Sequence, residues 1–134
     1  MMPKRPKRTT HADRVLNHMK RKNRPLSAYE ILEDLRSEGV NASTTVYRAL
    51  EKLLNVGLVH RIESLNAWMV CCGSHKEEIP VFEICDTCGS VREHFDAAFS
   101  QSIATLSERT GFSPNHSIIE IHGRCDDCNL SAPT

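Results

Sequence analysis

Two cysteine pairs, Cys85-x-x-Cys88 and Cys125-x-x-Cys128, constrain this chain more than any other feature. Each pair can present two thiolates to one ion, and four soft donors complete the tetrahedron that zinc prefers. The 36 residues between the pairs exceed the spacing of a simple zinc ribbon, but a hairpin, a helix and a strand can fill them and return the far pair beside the near one. A redox CxxC or packed free cysteines are the rival readings. The basic Met1–Thr10 is followed by no apolar signal core, which predicts a reducing cytoplasm where disulfide scaffolding is disfavoured.

The first half reads as helices. Ala12, Val15, Leu16 and Met19 recur at three- and four-residue spacing from Thr10 and stop before Asn23-Arg24-Pro25. Ser27 and Glu30 form a capping box for a second helix with the stripe Ala28, Ile31, Leu32 and Leu35, ended by Gly39. Ser43-Thr44-Thr45 offers N-cap chemistry for a third helix, whose buried stripe is Val46, Ala49, Leu50, Leu53 and Leu54. Thr44, Tyr47, Arg48, Glu51 and Lys52 then face outward, as a helix entering a major groove requires. Leu58–Glu63 and Ala67–Cys71 read as a hairpin, so three helices and a wing make a winged helix-turn-helix.

Charge supports that reading. Formal net charge is zero, with 17 Lys+Arg against 17 Asp+Glu, yet residues 1–24 carry nine Lys/Arg against Asp13 alone, a balance of +8 that leaves −8 for the remainder. One end suits a polyanion and the other suits cations.

After Gly73 a new unit begins: a strand Val81–Ile84 running into the first pair, a return strand Ser90–His94, and a helix capped by Asp96 that carries Phe95, Phe99, Ile103 and Leu106 up to Gly111. A third strand, Asn115–His122, leads to the second pair. The expected fold is α+β, an N-terminal winged helix-turn-helix followed by a small β-β-α-β dimerisation domain with a four-cysteine zinc site. Its boundaries are a basic tail at 1–9, a DNA-binding domain at 10–72, a hinge at 73–79 and a metal-binding domain at 80–130. So small a sheet gains by pairing with its own copy.

His60, Cys71, His75 and Glu93 form a second, scattered donor group that suits zinc, drawn from both sides of Gly73, with Cys72, His94, His116 and His122 as competitors. A zinc hydrolase or deaminase is disfavoured. The His-x-Glu with Pro-Cys-x-x-Cys combination is absent, and four thiolates leave no open position for a water nucleophile.

Thr45-Val46-Tyr47-Arg48-Ala49-Leu50, then Gly57-Leu58-Val59-His60-Arg61-Ile62-Glu63-Ser64, then Ile84-Cys85-Asp86-Thr87-Cys88-Gly89 together resemble the ferric uptake regulator (Fur) family from about residue 10 to Cys128. His60-Arg-Ile-Glu-Ser, Cys71 and Asn115-His116-Ser-Ile-Ile-Glu-Ile-His122-Gly resemble its zinc uptake regulator branch. The resemblance implies a cytoplasmic, homodimeric repressor, not an enzyme. It would bind double-stranded operator DNA when loaded with zinc and repress zinc-uptake genes; iron-, manganese- or peroxide-responsive relatives are the alternative. It also implies two zinc ions per subunit, one structural at Cys85, Cys88, Cys125 and Cys128 and one regulatory at His60, Cys71, His75 and Glu93. The hinge departs from the family pattern, because His75 lies early and Glu78 or Cys72 stands as a substitute ligand. Arg48 is the expected guanine reader, Tyr29 a second base or sugar contact by resemblance, and Thr44, Tyr47 and Lys52 phosphate contacts.

Overall fold

The computed structural model describes residues 9–71 and 78–131, and the chain divides into two units, Met1–Cys71 and Cys72–Thr134. Among the described residues, no helix is long and apolar enough to cross a membrane.

The first unit is built from α1 (His11–Lys22), α2 (Ala28–Leu35), α3 (Ser43–Asn55) and the antiparallel hairpin β1 (Val59–Ile62) and β2 (Ala67–Val70). Thr10 caps α1 through a full capping box with Asp13, and Asn23 ends it in the left-handed region at φ 50°. The second box forms only in part. Ser27 accepts the Glu30 N–H at 3.1 Å, but the Glu30 carboxylate accepts from Arg24 at 3.0 Å, so the side chain that should return to the cap is held by a cation. α2 tightens into a 3-10 turn over Arg36–Glu38 before Gly39 at φ 91°.

Two expectations for α3 are corrected. Its N-cap is Ala42, with no side-chain cap, so Ser43, Thr44 and Thr45 lie inside the first turn. Leu54 is 37% exposed, and the stripe that closes the core is Val46, Ala49, Leu50 and Leu53. These pack with Val15, Met19, Leu26, Ile31, Leu35, Val40, Val59 and Trp68 into one apolar cluster. Leu26 exchanges two backbone hydrogen bonds with Trp68, at 2.9 and 2.8 Å, and so ties the link before α2 to the hairpin.

The second unit holds a three-stranded sheet in the order β4-β3-β5, made of β3 (Val81–Cys85), β4 (Val91–His94) and β5 (Ile119–Gly123). β4 runs antiparallel and β5 parallel to β3. Between them lies α4 (Ala97–Thr110), capped by Asp96, whose side chain accepts from the Phe99 N–H at 2.9 Å. Phe95 precedes that cap and is not part of the helix. β5 is shorter than expected, because β3 begins at Val81, opposite Ile119, and leaves Asn115–Ile118 no ladder to join. A short α5 (Asp126–Ser131) follows, so the unit is β-β-α-β-α. Phe82 and Ile84 are buried, whereas α4 buries none of its residues and Phe99, Leu106, Phe112 and Ile121 are exposed.

Candidate metal centre and nucleic-acid interface

The four cysteines converge within the second unit. Cys85 closes β3, and the turn Asp86–Cys88 folds back through the Gly89 N–H donating to the Cys85 carbonyl at 2.9 Å, with Gly89 at φ 77°. That positive φ is why glycine follows the pair. The second pair arrives on the strand beside it: the Asp86 N–H donates to the Gly123 carbonyl at 2.8 Å, and Cys125 stands at the entry to α5. The Cys85 and Cys128 sulfurs lie 3.7 Å apart, as do those of Cys88 and Cys125, and all four sulfurs fall within 4.8 Å of one another. A tetrahedron with Zn–S bonds of about 2.3 Å has an edge of about 3.8 Å, so the donor set matches zinc in number, element and size.

The electrostatics assign the charge unequally. Backbone N–H groups of Cys125 and Cys88, each 3.4 Å from the Cys85 sulfur, draw its pKa down to about 5. The Ser90 hydroxyl, 3.2 Å from Cys88, is the first of the groups that lower that thiol. Cys128 is pushed up to about 12 by its contact with the Cys125 thiol and then by burial. Four thiols this close cannot all ionise without a cation among them.

The other expected ligands distribute as follows. His60 lies on β1 opposite Met69, and the Cys71 N–H donates to the Leu58 carbonyl at 3.0 Å just past β2. Strand alternation therefore sets Leu58, His60, Met69 and Cys71 on one face of the hairpin. Glu93 lies on β4 opposite Phe82 in the second unit, and Glu78 opens its described segment. His75 and Cys72 fall outside the described residues, as do Lys4, Arg5, Lys7 and Arg8 of the basic tail. His94 pairs with Glu83, and His122 with Asp86 at 3.2 Å; with His116 they join no group of three or more donors among the described residues.

On α3, Thr44, Tyr47, Arg48, Glu51 and Lys52 are all exposed, and Tyr29 projects from the first turn of α2 at 71% exposure. Two features went unread in the sequence. His18, buried between α1 and α2, holds Asp34 at 2.8 Å; its place three residues after Val15 in the apolar stripe was the available signal. Trp68 and Tyr47 form a T-shaped ring pair, with centroids 5.8 Å apart at 74°.

The sequence profile of the ferric uptake regulator family matches residues 4–122. The chain belongs to the ferric uptake regulator family. This family member is 38% identical over 119 residues to the zinc uptake regulation protein of Escherichia coli K12, covering 85% of this chain and 68% of that protein. It is 34% identical over 105 residues to the zinc uptake regulation protein of Mycobacterium tuberculosis H37Rv, covering 76% and 78% respectively. A solved zinc uptake regulator complexed with zinc and DNA superposes with a TM-score of 0.84 at 35% identity, covering 92% of this chain and 85% of that one. The holo XcZur crystal structure gives 0.81 at 34% identity, covering 94% and 89%. The expected resemblance and the α+β fold class are thus found, with α5 the addition.

Proposed function

We propose that this Fur-family chain is a zinc-responsive transcriptional repressor, cytoplasmic and homodimeric, that binds operator DNA when zinc is plentiful and limits zinc uptake. The observation that carries the proposal is its match, over 92% of its length, to a zinc uptake regulator solved with zinc and DNA. The cluster of four sulfurs supports it, as a donor set that matches zinc in number and element, and membership of a regulator family makes the chain a regulator and not an enzyme.

In this reading Cys85, Cys88, Cys125 and Cys128 hold a structural zinc. His60, Cys71, His75 and Glu93 hold a second, regulatory zinc, with Glu78 or Cys72 as the substitute for His75. The thiolate of Cys71 favours zinc over iron or manganese, which take oxygen and nitrogen donors more readily. Donors supplied by both units let metal binding favour one arrangement of the repressor over others. Tyr29 and Arg48 read bases, while Thr44, Tyr47 and Lys52 hold phosphates. The exposed apolar side chains of the second unit suit burial against a second copy. The domains are 10–72 for DNA and 80–130 for metal and dimerisation, joined by 73–79 and preceded by the basic tail 1–9.

The test is duplex binding as a function of free zinc, with bound metal counted on the same samples. Binding that switches on as the count rises from about one to about two zinc ions per subunit is the expected result. Binding independent of zinc, or switched on by iron or manganese in its place, overturns the proposal.

A further inference from the structure

The hairpin carries one cation whose setting the proposed repressor function does not use. Arg61 on β1 stands opposite Trp68 on β2, and its guanidinium lies over the indole, 5.3 Å from the ring centroid. Asn66, at the hairpin tip, accepts from Arg61 Nη2 at 3.2 Å, and the Glu63 carboxylate lies 3.4 Å from Nη1. Both partners come from the turn that joins the two strands, and Asn66 holds the left-handed conformation at φ 48° that closes it. The turn and the indole therefore hold a long, flexible side chain in one place, and its side chain remains 40% exposed.

The same indole receives Tyr47 from the outer face of α3. Arg61 and Tyr47 thus share one ring, which links the guanidinium through Trp68 to a residue of the face that carries Arg48 and Lys52. An α-helix with its side chains is about 10–12 Å across, which fills a major groove about 12 Å wide. A cation fixed at the flank of such a helix meets the phosphate ridge that walls the groove, not the base edges on its floor.

We propose that Arg61 is a DNA-phosphate contact delivered by the wing, with Trp68 as the positioning residue that registers it against α3. Glu63 holds the guanidinium in the free protein and yields to phosphate in the complex, since a solvent-exposed carboxylate pair is weak and a phosphate offers the planar guanidinium two acceptor oxygens. This role for Arg61 rests on the repressor reading above, because it needs α3 to enter a groove.

The experiment measures affinity against salt concentration for the zinc-loaded full chain. The probes are a duplex selected by the wild-type protein from a random-sequence pool and a mixed-sequence duplex lacking that site. Arg61→Gln is expected to weaken both duplexes several-fold and leave their ratio unchanged. It should make the slope of log K against log salt shallower by about 0.9 for each phosphate no longer neutralised, about 1.8 for a symmetric dimer. Arg61→Lys should keep most of the slope, and Glu63→Gln should tighten binding to both duplexes. Trp68 is the only tryptophan, so its emission reports directly on this ring and checks that each variant is folded. An unchanged slope in a folded Arg61→Gln variant overturns the phosphate role of Arg61 alone. A change in the ratio of the two duplexes makes Arg61 a base reader and overturns the phosphate assignment. Failure of the wild-type protein to bind any duplex overturns the repressor reading itself.

Discussion

Cys85 and Cys128 stand 3.7 Å apart with opposite proton affinities, one drawn down to about 5 by backbone N–H groups and the other pushed up to about 12. In the metal-free protein at neutral pH, Cys85 is already a thiolate and Cys128 still a thiol. Zinc binds the thiolate, so loading must expel the Cys128 proton. Calorimetric titration in buffers of different ionisation enthalpy should therefore show at least one proton released per zinc at this centre. Apparent affinity should tighten as pH rises, because the competing proton becomes scarcer; an enthalpy that does not depend on the buffer contradicts the assignment. Cys88→Ser puts a neutral hydroxyl where a thiolate belongs. Because binding free energy in small metal domains is folding free energy, that variant should lose one zinc and the cooperative unfolding of the second unit. Metal analysis together with circular dichroism checks both, and full metal content with native melting speaks against a structural zinc.

The elements show which end signals local chemistry can settle. Ser27 caps α2 without help from Glu30, whose carboxylate is engaged by Arg24, so the two residues should separate on mutation. Ser27→Ala is expected to cost about 0.5–2 kcal/mol of stability. Glu30→Ala should cost at most about 1 kcal/mol, as for any exposed ion pair. Denaturant titration of both variants decides it. In α3, Arg48 lies on the outer face, one residue before the buried Ala49 and Leu50. Arg48→Ala should weaken specific operator binding by about 1–3 kcal/mol and relax base preference at one position, leaving the fold unchanged. Affinities for a set of single-base operator variants measure this, and an unaltered preference removes α3 from the reading role.

At the scale of the whole molecule, the proposed regulatory zinc must do more than bind. Shifting a repressor from mostly inactive to mostly active takes a differential binding free energy on the order of 5 kcal/mol, and every ligand contributes to that difference. Cys71→Ser should leave a folded dimer that keeps its four-cysteine zinc but no longer gains operator affinity as free zinc rises. Stoichiometry by metal analysis, sedimentation and a zinc-dependent binding curve give the three readouts. A Cys71→Ser variant that still responds while Cys72→Ser does not would move the ligand by one residue.

Local order and local chemistry determined most of this protein from the sequence alone. Apolar spacing located α1, α2, α3 and the hairpin, because a helix needs one continuous stripe to bury and that stripe is written in neighbouring residues. The two CxxC pairs announced the metal centre for the same reason, since each pair is a local chelate. Only the tertiary structure decided what depends on distant partners. The length of β5 follows from where β3 begins, Glu30 leaves its cap because Arg24 reaches it, and Leu54 stays exposed because the core closes on Leu53. His18 and Asp34, 16 residues apart, meet only where two helices pack. Trp68 acquires Arg61 when the two strands of the wing pair and Tyr47 only once the wing lies against α3, and periodicity carries no record of a contact made across elements.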